Sequence, residues 1–156
     1  NKSFYQYSQA MVVIQNIIND KLVDVDRVKD IAQRLMDDFG VGESELLVRL
    51  VSAVEIQVLN NEYRGKNQPT NVLSFPSEIP VEVDEVILGD VVICVEVVRE
   101  EAIVGDKDFA EHLSHMLIHG ILHLLGYAHD ELEAANKMES IEIEFLEKLG
   151  IKSPYT

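Results

Sequence analysis

One long segment, Asp108–Leu125, constrains the fold more than any other part of the chain. Most of its positions are apolar and their spacing is helical. A helix that is apolar around most of its circumference is buried, so the chain must fold around this one. Its polar positions include a stripe of histidines, because steps of three and four residues stay on one helix face. The stripe consists of His112, His115, His119 and His123.

The rise of a helix decides which of these histidines could bind the same ion. Residues eight apart lie about 12 Å apart along the axis, whereas two nitrogens on one zinc are at most about 4 Å apart. His115 with His123 is therefore excluded, and the pair is either His115 with His119 or His119 with His123. Only the second pair has a third donor, because Gly126 can end the helix in a left-handed conformation and bring His129 back. The pattern predicts a metal site formed by His119, His123 and His129.

Three imidazoles leave one coordination position open. That is the arrangement of catalytic zinc, whereas structural zinc has four protein ligands, usually including cysteine. Zinc fits this ligand set best, although imidazoles also bind nickel, copper or iron. The alternative is that the histidines are core or surface residues. We expect that alternative for His112 and His115, as packed or hydrogen-bonded side chains.

The residue after the first predicted ligand argues against peptide hydrolysis. The spacing H-x-x-x-H-x-x-G-x-x-H is also that of metzincin peptidases, which have a glutamate there as general base. This chain has Gly120, which has no side chain to accept a proton. Phosphodiester cleavage depends less on a general base at that position, because a metal ion and a cationic side chain can neutralise phosphoryl oxygens. In RNA, moreover, the neighbouring 2′-hydroxyl can be the nucleophile.

The other segments predict several strands and helices in addition to this buried helix. The chain has 156 residues, enough for one domain with a core. We expect residues 1–10 to be an extension outside the fold and residues 11–156 to be a single metallo-hydrolase domain. Gly89, inside a strand pattern, predicts a bulge or a close backbone approach. The strand candidates are segments 11–18, 45–51 and 86–95, and segment 64–76 is expected to be a loop that runs into a short strand.

Capping residues predict where several helices begin. Asp26 is expected to cap the first helix, and the pairs Ser52 with Glu55 and Asp130 with Glu133 fit capping boxes. The last helix shows an apolar face that should lie in the core. That face consists of Leu132, Ala135, Met138, Phe145 and Leu149.

The charge of the chain limits its partners. A net charge of −15 repels polyanions in general, so neither DNA nor a membrane is expected as a partner. An anionic substrate must instead be drawn in by a local feature. The segment 64–76, RGKNQPTNVLSFP, holds Arg64 and Lys66 and no acid. Because arginine can hold a phosphate bidentately, we predict a catalytic and substrate-binding role for Arg64 and substrate binding for Lys66. Solvated loop cations are the alternative.

Other features favour a cytoplasmic protein. The single cysteine, Cys94, permits no internal disulfide and fits a reducing compartment. No apolar run approaches the ~18 residues of a membrane span. No secretory leader pattern is seen at residue 1.

Three segments together resemble the YbeY family of bacterial metal-dependent endoribonucleases and rRNA-maturation factors. They are EYRGKNQPTNVLSFP, LGDVVICVEV and HGILHLLGYAHD, and the resemblance extends from Met11 to about Leu149. It implies zinc bound by His119, His123 and His129 and a functionally important Arg64. It also implies an α+β fold with a small mixed sheet flanked by helices, distantly similar to zincin peptidases. The implied role is rRNA processing, particularly small-subunit maturation, and ribosome quality control, with RNA and ribosome-associated proteins as partners.

The chain departs from that family at one position beside the predicted ligands. The family usually reads GYDH where this chain reads GYAH, so Ala128 lacks a carboxylate beside His129. If that carboxylate normally orients an imidazole, its loss would weaken metal binding, unless Asp130 replaces it. Two other functions remain open: a non-catalytic ribosome-associated adaptor braced by a metal, and a metallopeptidase-like hydrolase.

Overall fold

The computed structural model describes residues 11–78 and 87–155, so the extension expected at residues 1–10 lies outside the described residues. Within these ranges no helix has both the length and the apolar character of a membrane span. The strands are β1 (Val12–Asn16), β2 (Glu45–Val51), β3 (Val72–Pro76) and β4 (Ile87–Cys94). The helices are α1 (Val25–Asp38), α2 (Ala53–Arg64), α3 (Val95–Val104), α4 (Phe109–Leu124) and α5 (Leu132–Lys148).

The four strands form one mixed sheet in the order β1-β2-β4-β3. The first three in that order run parallel, and β3 pairs antiparallel with β4 at the edge. The predicted α+β architecture, a small mixed sheet flanked by helices, is confirmed.

Gly89 makes both of the features predicted for it. The pairing of β2 with β4 shifts register between Glu45 and Leu46, which lie opposite Ile87 and Gly89. The backbone at Gly89 has φ 141°, and a Cβ there would overlap the carbonyl oxygen of Phe75 on β3. Only glycine accepts both the conformation and the approach. The absence of a side chain at Gly89 therefore allows β3 to lie tightly against β4.

The two faces of the sheet are covered unequally. The main core lies on the face that packs against α1 and α4. A smaller cluster, which includes Ile56, Leu73 and Val92, lies beneath α2 on the other face. Helix α4 contacts β3, β4, α1, α3 and α5. The prediction that the histidine-bearing helix is buried is confirmed, because most of its residues are inaccessible to solvent.

Three details at helix ends differ from the sequence predictions. The cap of α1 is Asp24, whose side chain accepts from the Arg27 N–H; Asp26 lies in the first turn. The cap of α5 is Glu131, without a side-chain hydrogen bond, so Asp130 is not the cap. Leu132 was predicted in the core but is 80% exposed, because it is the first residue of α5 and the buried positions of that helix begin only at Met138.

Candidate metal centre

Helix α4 lies so close to the sheet that residue 120 has no room for a side chain. A Cβ on Gly120 would lie 2.7 Å from Val91 Cγ1 and 3.1 Å from Val72 Cγ2. The Ser74 hydroxyl on β3 donates to the Gly120 carbonyl oxygen at 2.7 Å. The missing glutamate thus has a steric explanation: this position faces the sheet, and any side chain would push the helix away from it.

The turn after α4 brings the third predicted histidine back to the other two. Gly126 adopts φ 99°, and the Tyr127 N–H donates to the Leu122 carbonyl at 3.0 Å, which is the pattern of a glycine-terminated helix. The His129 ring centroid lies 5.3 Å from that of His119 and 4.9 Å from that of His123. One nitrogen from each of the three rings lies within 4.8 Å of the others.

Hydrogen bonds fix which ring nitrogens carry protons. The Nδ1 of His119 lies 2.9 Å from a Glu142 carboxylate oxygen, and the Nδ1 of His123 lies 3.0 Å from the Tyr127 carbonyl oxygen. Burial by itself would raise the pKa of Glu142, but hydrogen bonds from His115 and His119 outweigh it and lower the pKa to about 2. Both partners are therefore acceptors, and both Nδ1 atoms must donate.

The remaining nitrogens of this pair are placed to share a cation. The Nε2 atoms of His119 and His123 face each other at 3.0 Å, and in the neutral tautomers both present lone pairs. Burial, reinforced by the neighbouring His119 and His129, lowers the pKa of His123, which favours the neutral ligand form. Two facing lone pairs are stabilised by an ion that both nitrogens can coordinate, so the donor set fits a divalent metal.

Three histidines form the group that could hold a metal ion. Within the described part of the chain, no further histidine, cysteine or carboxylate joins the group of His119, His123 and His129. The rings of His119 and His123 are partly accessible and His129 is exposed. Such a set is compatible with a metal ion that keeps a coordination position free for an exogenous ligand.

The other two histidines of the stripe face carboxylates. His112 Nε2 lies 3.0 Å from Glu101. His115 Nε2 lies 3.3 Å from Glu142 and 3.2 Å from the Tyr155 hydroxyl. Their expected role as hydrogen-bonded residues agrees with these contacts.

A cleft of about 530 Å³ joins the histidines to Arg64. The three histidines line it together with Tyr63, Arg64 and residues 70–74 of the following loop and strand. Helix α2 ends at Arg64 because Gly65 adopts a left-handed conformation, φ 70°. No carboxylate within residues 11–78 and 87–155 pairs with the Arg64 guanidinium. Its charge is therefore not neutralised by an ion pair among these residues.

The segment after Arg64 is hydrogen-bonded to α2, and α2 itself packs on β3. The Asn60 side-chain amide donates to the Gln68 carbonyl at 2.8 Å, and the Tyr63 ring packs on Phe75 with centroids 4.5 Å apart. Lys66 is exposed and does not line the cleft, in contrast to Arg64. Asp130, which was expected to cap α5, instead lines the cleft and is exposed.

Glu142 is the residue of this region that the sequence analysis missed. It is fully buried, with 0% of its surface exposed, and contacts one of the three grouped histidines. A signal was available, because Glu142 interrupts the core-facing stripe between Met138 and Phe145. An acid at such a position must find donors within the protein.

Comparisons with known proteins agree with this arrangement. The family model described as "Endoribonuclease YbeY" matches residues 13–150. Proteins named "Endoribonuclease YbeY" from Vesicomyosocius okutanii and Ruthia magnifica are 53% and 51% identical over 145 residues, covering 93% of this chain and 100% of each relative. The solution structure of TM1509 from Thermotoga maritima superposes with a TM-score of 0.59 at 28% identity, covering 89% of this chain and 91% of that one. The chain therefore belongs to the YbeY family of endoribonucleases.

Proposed function

We propose that the chain is a zinc-dependent endoribonuclease of the bacterial cytoplasm that processes rRNA. The proposed role is small-subunit maturation and ribosome quality control, alongside ribosome-associated proteins. The observation that carries the proposal is that three convergent imidazoles line one cleft with Arg64, which has no ion-pair partner among the described residues. A chain of net charge −15 needs such a local positive feature to bind RNA. The names of the relatives and the family resemblance support the choice of RNA and of rRNA.

His119, His123 and His129 would hold the ion. Because all three are neutral ligands, they leave the charge of the ion undiminished at the cleft. Zinc suits this donor set, as do nickel, copper and iron. When bound, zinc supplies Lewis acidity, lowering the pKa of coordinated water to about 7 and neutralising charge on a phosphoryl oxygen.

Arg64 would bind the phosphate that undergoes cleavage. Its planar guanidinium presents several N–H donors that match two phosphate oxygens. Arg64 lies at the end of α2, and the segment that follows it is anchored. The backbone of Arg64 is therefore held in place beside the cleft. Lys66 lies outside the cleft lining, and we assign it to the path of the RNA strand beyond the cleft.

Metal analysis combined with an RNA-cleavage assay tests the proposal. Wild-type protein is expected to contain zinc and to cleave RNA, and the cleavage should stop on chelation and return with added zinc. Arg64→Glu should retain the metal and lose cleavage, because it replaces the phosphate-binding charge with a repulsive one. Arg34→Glu is the matched control: it makes the same charge reversal at an exposed residue of α1 and should cleave normally. Undiminished cleavage by a metal-free preparation would refute the proposal.

The same protein preparations distinguish two alternative functions from the proposed one. A metallopeptidase would cleave a casein-type substrate in a chelator-sensitive way, but the contacts at Gly120 leave no room for the glutamate base. A non-catalytic adaptor would be destabilised by chelation without any change in a reaction rate. In that case Arg64→Glu would alter ribosome binding and leave RNA intact. The acidic net charge is what favours the adaptor as the second candidate.

A further inference from the structure

A network of side chains lies behind the metal centre, on the side of His119 away from the cleft. Its centre is Glu142 on α5, which is fully buried. One of its oxygens lies 2.9 Å from His119 Nδ1 and 3.3 Å from His115 Nε2. The Tyr155 hydroxyl donates to the other oxygen at 2.9 Å. The carboxylate is thus surrounded by donors, as a buried charge requires.

We propose that Glu142 is a positioning residue for His119 and that Tyr155 anchors Glu142. The inference rests on the metal site proposed above. A carboxylate that accepts from Nδ1 fixes the ring in the tautomer whose Nε2 lone pair faces the cleft. It also restrains rotation of the ring, and partners of this kind tune metal affinity in other proteins.

The two ligands of α4 are held in different ways. His123 donates to the backbone carbonyl of Tyr127, a group that no substitution removes. His119 donates to a side chain on another helix. The orientation of His119 therefore depends on a residue that can be altered, and it depends on the packing of α5 against α4.

Tyr155 extends this dependence to the C-terminal segment. Ile151 is buried, and its N–H donates to the Leu146 carbonyl at 2.9 Å, which holds the segment against α5. The Tyr155 ring meets the His115 ring edge to face, with centroids 5.6 Å apart. The hydroxyl is thus placed by packing on two sides. Without it, one carboxylate oxygen would lose its short hydrogen bond.

Zinc affinity, measured by competition with a chromogenic chelator, tests the inference. Glu142→Gln keeps the shape and removes the charge, and it should weaken binding by about 10- to 100-fold. Tyr155→Phe removes only a hydroxyl and should weaken binding by a smaller factor. Glu147→Gln makes the same chemical change at an exposed position of α5 and should bind zinc as the wild type does.

A spectroscopic readout distinguishes positioning from a general structural role. Nitrogen NMR of the histidine side chains should show His119 as the Nδ1–H tautomer in the wild type and a mixture of tautomers in Glu142→Gln. A lower melting temperature with unchanged zinc affinity and tautomer would overturn the inference. If Glu142→Gln does not fold, Tyr155→Phe decides, and wild-type affinity in that variant would overturn it.

Failure of the metal site itself gives a different result. If wild-type protein binds no zinc, or if His119→Ala binds it as tightly as the wild type, the proposed metal site is wrong. If wild-type protein binds zinc, His119→Ala does not, and Glu142→Gln binds normally, only the positioning role is wrong.

Discussion

The two halves of the histidine stripe on α4 differ in which ring nitrogen the protein engages. In the N-terminal half, the Nε2 atoms of His112 and His115 face the carboxylates of Glu101 and Glu142. In the C-terminal half, acceptors engage the Nδ1 atoms, and the Nε2 atoms of His119 and His123 face each other at 3.0 Å. The residue type and the helix face are the same in both halves.

The difference follows from what packs over each half. Glu101 on α3 and Glu142 on α5 lie against the N-terminal half and occupy the Nε2 atoms of its two histidines. The C-terminal half reaches the end of the helix, where the turn at Gly126 opens a cleft and supplies a carbonyl acceptor for His123. A histidine becomes available to a metal here because its free nitrogen faces a neighbouring ring at the cleft, whereas the free Nδ1 atoms of His112 and His115 are buried.

The largest effect should come from removing a histidine of the C-terminal half. His123→Ala is expected to lose the zinc, because the two remaining imidazoles no longer form a three-ligand set. His112→Ala should retain it, although it removes the same side chain from the same stripe. Elemental analysis of both purified variants measures this. Equal metal loss in the two would show that the halves do not differ in the way described.

Metal removal should also affect stability through the C-terminal half alone. A ligand that binds only the folded state at a hundredfold above its Kd adds about 2.7 kcal/mol. For a chain of this size, that corresponds to a decrease in Tm of roughly 5 to 10 °C on chelation. Calorimetry with and without chelator should show the decrease in wild type and His112→Ala. A decrease of the same size in His123→Ala would contradict the assignment.

Gly120→Ala should disturb the C-terminal half by overpacking. The added methyl would lie 2.7 Å from Val91 Cγ1, so helix and sheet must separate slightly. We expect a loss of about 1 to 3 kcal/mol of unfolding free energy together with weaker zinc binding, measured by denaturant titration and chelator competition. At Gly105 the nearest neighbour of an added Cβ is 3.2 Å away. Gly105→Ala is therefore the control, with a smaller stability loss and unchanged zinc binding.

The smallest effect should come from the carboxylate that faces His112. The Glu101 side chain is 41% exposed, and Asn71 also donates to it. Glu101→Gln should therefore change stability by less than about 1 kcal/mol and leave zinc affinity unaltered. The same substitution at Glu142 is the comparison, because only Glu142 also contacts His119. Weaker zinc binding in Glu101→Gln would remove the distinction between the two carboxylates.

Local patterns were sufficient for the elements and for the grouping of the three histidines. Helical spacing and a glycine at the turn place His119, His123 and His129 without reference to the rest of the chain. Cap positions were harder, because Asp24 and Asp26 both precede helical residues and only the backbone conformation selects between them. The presence of Arg64 in the same cleft depends on how α2, β3 and α4 pack together. No local sequence pattern describes that packing.

Glu142 shows why the rest of the site could not be predicted. In the sequence it is one of 28 acids, and its burial results from α5 packing on the histidine face of α4. Its donors come from positions 115 and 119 on α4 and from position 155 in the C-terminal segment, between 13 and 27 residues away in sequence. Gly120 is a second case. The sequence shows that no carboxylate is present at this position, but it does not show that Val72 and Val91 exclude one.

The close approach of α4 to the sheet also limits how this centre could evolve. A glycine codon can become a glutamate codon by one nucleotide change, so the shortest mutational route to a peptidase-type motif begins at Gly120. Val91 and Val72 occupy the space that the new side chain would need. That route therefore requires coordinated replacements on two strands before the first mutation can be tolerated.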